Sequence, residues 1–143
     1  MIDFEKTVTN ALNRTIAKRY LLKLDEKDIV EIRFDEFCLK LYYSRYEYEL
    51  NICYYFTQSE IHANLDGILV ALGCNKEDIP RFLFMSDETI MEKYLREYLN
   101  LINIFFDQLC DTRLIKKIIL DHKLLPDYYY QQRDIEKFRK TKN

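Results

Sequence analysis

The stretch that decides the fold is IVEIRFDEFCLKLYYSRYEYELNICYYF, residues 29–56. Apolar and polar side chains alternate along three runs within it, at 30–34, 37–43 and 47–56. Since successive side chains of a strand point to opposite faces, this period of two indicates strands with one face in the core and one face outward. The breaks at Asp35-Glu36 and Ser44-Arg45 are short enough for hairpins. The stretch therefore predicts a three-stranded antiparallel meander.

Helical patterns flank the meander on both sides. Before it, apolar residues that recur every four positions predict a helix over 3–22. After it, apolar stripes predict helices at 59–72, 86–110 and 113–124. A last helix is predicted to open at Pro126, because proline is favoured in the first turn of a helix.

Several single residues mark where these helices begin and end. Ser59 and Ser86 are the predicted N-caps, and Gly73 occupies the place where a left-handed C-cap favours glycine. Gly67 lies inside a helical stripe, which costs roughly 1 kcal/mol relative to alanine and indicates close packing at that point. Residues 139–143 are expected to fray.

The order of these elements predicts an α+β fold. It consists of an N-terminal helix, a three- or four-stranded antiparallel meander, and C-terminal helices packed on one sheet face. The fourth strand is left open, because the run Phe82-Leu83-Phe84-Met85 is too short for periodicity to separate a strand from a buried loop. With 143 residues and 48% hydrophobic residues, the chain is expected to form a single domain over 1–143.

The charge balance excludes a general nucleic-acid binder, since phosphates require a basic surface and the net charge is -2. Residues 111–143 are an exception, with nine Lys/Arg against five Asp/Glu. In this basic tail Tyr128-Tyr129-Tyr130 precedes several bases, a mixture that can serve single-stranded nucleic acid. The alternative is a terminal helix that docks its tyrosines on the domain and leaves its bases in water.

The cysteines and the apolar runs indicate a cytoplasmic protein. No CxxC pair is formed by the four cysteines, Cys38, Cys53, Cys74 and Cys110, and neither histidine lies near one of them at the spacing of zinc ligands. We therefore expect free thiols and no zinc site. The N-terminus carries no apolar segment of signal-peptide length, and no run of about 18 apolar residues predicts a membrane span. No cofactor is expected.

Catalytic candidates are few. His62 and Asp66 lie four residues apart on a predicted helix, which allows either a metal or acid–base site or an ordinary surface pair. Among possible nucleophiles, Cys38 near Lys40 is the best placed, because a neighbouring cation lowers a thiol pKa. No serine lies in a GxSxG motif. The sequence therefore favours a protein that is not an enzyme.

The polar face of the meander is the candidate protein-binding surface. The eight residues predicted there are Glu31, Arg33, Lys40, Tyr42, Glu47, Glu49, Asn51 and Tyr55. Tyrosines among mixed charges are typical of recognition surfaces, since tyrosine buries a large area at a low cost in side-chain entropy. The alternatives are a face that is merely solvated and a face that is covered by the last helix.

One order of elements resembles a known class of proteins. FCLKLYYSRYEYELNI (37–52) is followed by a helix from Ile61 to Leu72 and then by a long helix carrying Leu95, Leu99 and Leu101. Over about 28–110 this order resembles small bacterial α+β proteins of the polymorphic-toxin immunity type. The resemblance implies a non-enzymatic protein that binds and blocks a cognate toxin, and it assigns no functional residue.

The sequence thus predicts a cytoplasmic protein-binding module, an immunity or antitoxin-like inhibitor. The acidic residues on its outer face suit a basic partner such as a nuclease toxin. Two alternatives from other classes remain open. One is a small enzyme centred on His62 or a cysteine, and the other is a nucleic-acid-associated accessory protein that uses the basic tail.

Overall fold

The computed structural model describes residues 2–57 and 62–124. Its architecture is α+β, as predicted, with a helix, an antiparallel sheet and then helices along the chain. The elements are α1 (Phe4–Thr15), β1 (Leu21–Glu26), β2 (Ile29–Arg33), β3 (Phe37–Ser44), β4 (Glu49–Phe56), β5 (His62–Asn64), α2 (Leu65–Ala71), a 3-10 turn (Lys76–Asp78), α3 (Glu88–Ile104), α4 (Phe106–Cys110) and α5 (Thr112–His122). The cap at Ser59, the helix from Pro126, the basic tyrosine-rich segment and the fraying of 139–143 were predicted for residues outside the described ranges.

The sheet has five strands in the order β1-β2-β3-β4-β5, and every neighbouring pair is antiparallel. Across its centre Val30, Leu41 and Ile52 lie opposite one another and are buried. The next residue of β2, Glu31, lies opposite Lys40 of β3, and both are on the other face of the sheet. The inward and outward faces predicted from the alternation in β2, β3 and β4 are therefore confirmed.

Two strands were not predicted, and both replace helix. The predicted helix over 3–22 ends at Thr15, because Ile16 has extended backbone angles, and residues from Leu21 onward form β1. Tyr20 continued the four-residue spacing by coincidence. Strand β1 lies at the sheet edge with its leucines largely exposed, so it lacks the contrast between buried and exposed positions that reveals a strand.

The second correction concerns the helix predicted at 59–72. His62–Asn64 instead form β5, which pairs with the end of β4, and helix α2 begins only at Leu65. The Asn64 side chain caps this helix by accepting a hydrogen bond from the Asp66 amide at 2.8 Å. A three-residue strand is too short to carry a periodic signal.

The two glycines in and after α2 have the roles that the sequence predicts. Gly73 has a φ of 106° directly after the helix, the left-handed conformation predicted for it. A Cβ atom at Gly67 would lie 2.9 Å from the Leu124 side chain, which explains why glycine is found inside the helix. The close packing predicted at this position is therefore confirmed.

The predicted long helix over 86–110 is divided in two. Asp87, not Ser86, caps α3 by accepting a hydrogen bond from the Ile90 amide at 3.1 Å. The helix breaks at Phe105, where α4 takes over. The last fully buried residue of α3 is Ile102. Phe105, at the break, is only partly buried against the core.

The core lies between the apolar sheet face and the helices. Phe4 of α1 stacks on Tyr43 of β3 with ring centroids 5.4 Å apart. Tyr54 of β4 stacks on Phe37 at 5.0 Å, and its hydroxyl donates to the Leu109 carbonyl at 2.8 Å. The C-terminal helices therefore pack on one sheet face, as predicted, and α1 packs on the same face. Within the described ranges, no helix is long and apolar enough to cross a membrane.

Arg45 joins three distant segments at one end of the sheet. Its Nε and Nη2 atoms donate to the two carboxylate oxygens of Asp28, at 2.7 and 2.9 Å, and Nη2 also donates to the Ile2 carbonyl at 2.6 Å. Asp28 lies in the β1–β2 turn with a φ of 67°. The guanidinium therefore ties two hairpin turns to the start of the chain.

We expect Arg45→Lys to lower the free energy of unfolding by about 1–2 kcal/mol, because an ammonium cannot make the forked pair with Asp28. Urea unfolding followed by circular dichroism measures this change. Arg14→Lys is the matched control, since Arg14 is exposed and makes one 3.6 Å contact with Glu92. Equal losses in the two variants would contradict the structural role of Arg45.

Candidate interaction surface

Five of the eight predicted surface residues form one connected cluster in the middle of the outer sheet face. Glu31 accepts a hydrogen bond from Arg33 Nε at 3.1 Å, and its other carboxylate oxygen lies 3.9 Å from Lys40 Nζ. The Lys40 ammonium lies 4.9 Å from the centre of the Tyr55 ring, and the Tyr55 hydroxyl shares a 2.7 Å hydrogen bond with that of Tyr42. We call these five residues the central cluster.

The central cluster is largely closed to solvent. Glu31 is only 4% exposed, so the expectation that its carboxylate is displayed to a partner is wrong. Its position on β2, between neighbouring strands, surrounds it with the long side chains of Arg33 and Lys40, which satisfy its charge. Arg33 remains about half exposed, whereas Lys40, Tyr42 and Tyr55 are partly buried.

The other three predicted residues lie outside this cluster. Glu47 is exposed in the β3–β4 turn and belongs to no strand, contrary to the prediction that the third strand begins before Tyr48. Glu49 and Asn51 lie at the start of β4 and line a cleft, and Asn51 is also the cross-strand partner of Tyr42. The eight residues therefore divide among the central cluster, the β3–β4 turn and a cleft beside the cluster.

The cleft has a volume of about 220 Å³. Strand β4 forms one side of it, and the start of α2 and the loop after the 3-10 turn form the others. Its lining residues are Glu49, Leu50, Asn51, Ile52, Asn64, Asp66, Pro80, Arg81, Phe82, Leu83 and Tyr98. It therefore combines apolar side chains with carboxylate and amide groups.

Asp66 and Tyr98 form the polar centre of this cleft. Tyr98 is fully buried, and its hydroxyl donates a hydrogen bond to Asp66 Oδ1. Asp66 as a residue is exposed, but its carboxyl group contacts this buried hydroxyl. Desolvation raises the pKa of the carboxyl, and the Tyr98 hydrogen bond opposes this effect in part. Burial together with the Asp66 charge raises the pKa of Tyr98 well above its usual value, so Tyr98 is a donor at neutral pH.

The run at 82–85 is neither a strand nor a buried loop. Phe82 and Met85 are buried, and each hydrogen-bonds to β4 or the turn before it. The Leu50 amide donates to the Phe82 carbonyl at 3.2 Å, and the Met85 amide donates to the Tyr48 carbonyl at 2.7 Å. Leu83 and Phe84 lie between these anchors and are exposed, Phe84 to 85%. The loop thus holds Phe84 outside the core on a fixed backbone.

We call Tyr46, Tyr48, Leu83 and Phe84 the aromatic ridge. Tyr46 is 96% exposed, and it lies in the β3–β4 turn that the Met85–Tyr48 hydrogen bond joins to the loop. Phe84 and Tyr48 have φ values of 57° and 54°, a left-handed conformation that costs roughly 1–2 kcal/mol for residues other than glycine. Sequence reasoning missed the ridge, because it placed Tyr48 on the apolar face of the third strand, whereas Tyr48 is exposed in the β3–β4 turn.

His62 and Asp66, which the sequence placed on one helix, lie on different elements. His62 belongs to β5, and its ring stacks on Tyr55 with centroids 4.6 Å apart, whereas Asp66 belongs to α2. His62 does not line the cleft that contains Asp66. Among the described residues, no group of three or more histidines, cysteines and carboxylates could hold a metal ion.

The four cysteines are free thiols, and burial raises the pKa of Cys53, Cys74 and Cys110, which disfavours their thiolates. Burial raises the pKa of Cys53 to about 11, with a further contribution from the charge of Asp66. Burial also raises the pKa of Cys110 to about 11, supported by a hydrogen bond to Glu36. The Cys38 sulfur lies 4.0 Å from a Glu31 carboxylate oxygen, so the predicted activation by Lys40 is opposed by a negative charge.

We expect iodoacetamide at pH 7.5 to label all four cysteines in guanidinium chloride but to label native Cys53 and Cys110 slowly. A pKa of about 11 in place of about 9 reduces the thiolate fraction at this pH about 100-fold. Mass spectrometry of the intact protein gives the count, and peptide mapping gives the rates. Native labelling at the rate of a free thiol, or an intramolecular disulfide, would contradict this account.

Comparison with protein families, with curated proteins and with solved structures finds no significant match for this chain. The resemblance to immunity proteins therefore stays a prediction. What the structure shows is an α+β fold whose β4 edge carries a polar cleft and an exposed aromatic ridge.

Proposed function

We propose that this protein is a non-enzymatic cytoplasmic binding module, an inhibitor of the immunity or antitoxin type, and that it engages a basic protein partner through the aromatic ridge. The exposure of Phe84 carries the proposal. This side chain is 85% exposed between two buried anchors and has a left-handed φ, so it adds little to the core while its backbone costs free energy. Such strained, solvent-facing positions are concentrated at functional sites.

The chemistry of the ridge favours a protein as the ligand. Tyrosine and other aromatic residues dominate the energetics of interfaces, because each buries a large area and loses little side-chain entropy. The ridge is also held in place by hydrogen bonds between the loop and the β3–β4 turn, so little ordering is needed on binding. A rigid aromatic surface of this kind suits a partner that has a matching apolar pocket.

The charges beside the ridge favour a basic partner. Glu47 and Glu49 lie on the hairpin, and Asp87 and Glu88 follow the loop at the start of α3. Arg45, the nearest base on the hairpin, has its charge compensated by Asp28. Opposite charges on the partner would speed encounter and make binding sensitive to salt.

The enzyme alternative has less support. The raised pKa values of Cys53 and Cys110 leave weak nucleophiles, and His62 is engaged in a ring stack away from the cleft. The nucleic-acid alternative depends on the basic tail, which lies outside the described residues. Neither alternative gives a reason for the exposed Phe84.

The proposal predicts a toxin-like gene immediately upstream, and isothermal titration with the purified product of that gene tests it. We expect a dissociation constant below about 1 μM at low salt, which corresponds to about 8 kcal/mol, and weaker binding at higher salt. Neutralisation of the toxin in cells that express both proteins is the companion measurement. If an upstream product of this kind neither binds nor is neutralised, the immunity-type function is wrong.

A further inference from the structure

The cleft beside β4 contains a carboxylate, that of Asp66, that has no ion-pair partner among the described residues. Among the described residues, no lysine, arginine or histidine forms an ion pair with Asp66. Its carboxyl lines the cleft and accepts a hydrogen bond from the buried Tyr98 hydroxyl, which holds it in place. Burial raises the pKa of Asp66, and the Tyr98 hydrogen bond offsets this effect only in part.

The remaining walls of the cleft suit the other parts of a cationic side chain. Glu49 adds a second carboxylate, and Asn51 and Asn64 add side-chain amides at the rim. Since Tyr98 and Phe82 are buried, the accessible apolar surface of the cleft comes from the partly buried Pro80 and the exposed Leu83, along which the methylene groups of a long cationic side chain can lie. A volume of about 220 Å³ is smaller than that of pockets for drug-sized ligands, and it is appropriate for one side chain.

We propose that this cleft receives a single arginine or lysine side chain of the partner protein, with Asp66 as the ionic acceptor and Pro80 and Leu83 as its apolar walls. The proposal rests on the function proposed above and adds the chemical group that the partner inserts. The cleft and the aromatic ridge share the loop that carries Leu83 and Phe84, so a single partner surface can contact both.

Arg81 is a competing cation of the protein itself. It lines the cleft and is exposed, and it makes no ion pair with Glu49 or Asp66 among the described residues. Its positive charge nevertheless weakens the attraction of the cleft for an incoming cation. Removal of this charge should therefore strengthen binding of a cation.

The probe is ethylguanidinium chloride, titrated into uniformly ¹⁵N-labelled protein and followed by two-dimensional NMR. Propylammonium chloride tests the lysine form, and sodium chloride at equal concentration reports simple screening. We expect saturable shifts at the amides of Asn51, Asn64, Asp66 and Arg81 with a dissociation constant of about 1–10 mM, tighter for the guanidinium. Shifts that only follow sodium chloride would overturn the proposal.

Asp66→Asn keeps an acceptor for the Tyr98 hydroxyl while removing the charge, and we expect it to weaken ethylguanidinium binding at least about tenfold. Glu77→Gln removes a carboxylate from the exposed 3-10 turn and is the matched control, with unchanged binding. Equal binding by Asp66→Asn and the wild type would overturn the proposal.

A second variant keeps the test decisive if Asp66→Asn does not fold. Arg81→Gln changes an exposed loop residue, and we expect it to strengthen ethylguanidinium binding about twofold or more. Unchanged or weaker binding by this variant would contradict a cation site. Since the probe needs no partner, its failure would remove the cleft inference alone, whereas failure of the upstream product to bind would remove the proposed function.

Discussion

Phe37→Ala is expected to lower the free energy of unfolding by about 3–5 kcal/mol, the range for loss of a fully buried phenylalanine. Phe37 is completely buried, and its ring packs on Tyr54 at 5.0 Å and on Phe34 at 4.9 Å between centroids. Its removal leaves a cavity at the point where β3, β4 and α4 meet. Guanidinium chloride unfolding followed by circular dichroism measures the loss.

Phe84→Ala is the matched control, because it makes the same chemical change on a side chain that is 85% exposed. We expect its free energy of unfolding to stay within about 0.5 kcal/mol of the wild type. A loss below about 1 kcal/mol for Phe37→Ala would show that the register or the packing of the sheet is wrong. A large loss for Phe84→Ala would show that Phe84 belongs to the core.

The second large effect concerns binding. Phe84→Ala is expected to weaken the complex with the upstream toxin by about 2–4 kcal/mol, or roughly 30- to 1,000-fold in the dissociation constant. The reason is that an exposed aromatic ring on a rigid backbone loses little entropy when a partner pocket buries it. Isothermal titration of both forms under one set of salt conditions measures the difference.

The centre of the sheet could be predicted from the sequence. In β2, β3 and β4 the inward side chains are buried in the core, whereas the outward ones, apart from Glu31 and Cys38, are at least partly exposed, so burial favours the alternation. Val30, Leu41 and Ile52 illustrate this, since all three are apolar and lie opposite one another. The cap at Gly73 follows from local backbone geometry, and the close packing at Gly67 could be predicted from the cost of glycine inside a helix, although its partner Leu124 could not.

The edges of the sheet could not be predicted in this way. Strand β1 exposes Leu21 and Leu24 on opposite faces, and β5 is three residues long, so neither gives a periodic contrast. The same limit applies to the cleft. Its walls come from 49–52, 64–66, 80–83 and Tyr98, which only the fold brings together.

The sequence predicted which residues lie on the outer sheet face, but not how far each of them is exposed to solvent. Alternation assigns Glu31 to that face, yet whether its carboxylate reaches solvent depends on how Arg33 and Lys40 fold over it. Glu49 and Asn51 were assigned to the same face and do line an open site. Their part in protein binding stays a prediction, as does that of the central cluster.

The most direct test of the ridge as the binding surface is a titration of three proteins with the upstream toxin. They are the wild type, Phe84→Ala and Ile104→Ala. Ile104 is an equally apolar exposed residue at the far end of α3, about 25 Å along the helix from its start. We predict that all three melt alike, that Ile104→Ala binds as the wild type does, and that Phe84→Ala loses at least about 30-fold in affinity. Full affinity in a folded Phe84→Ala protein would contradict the account.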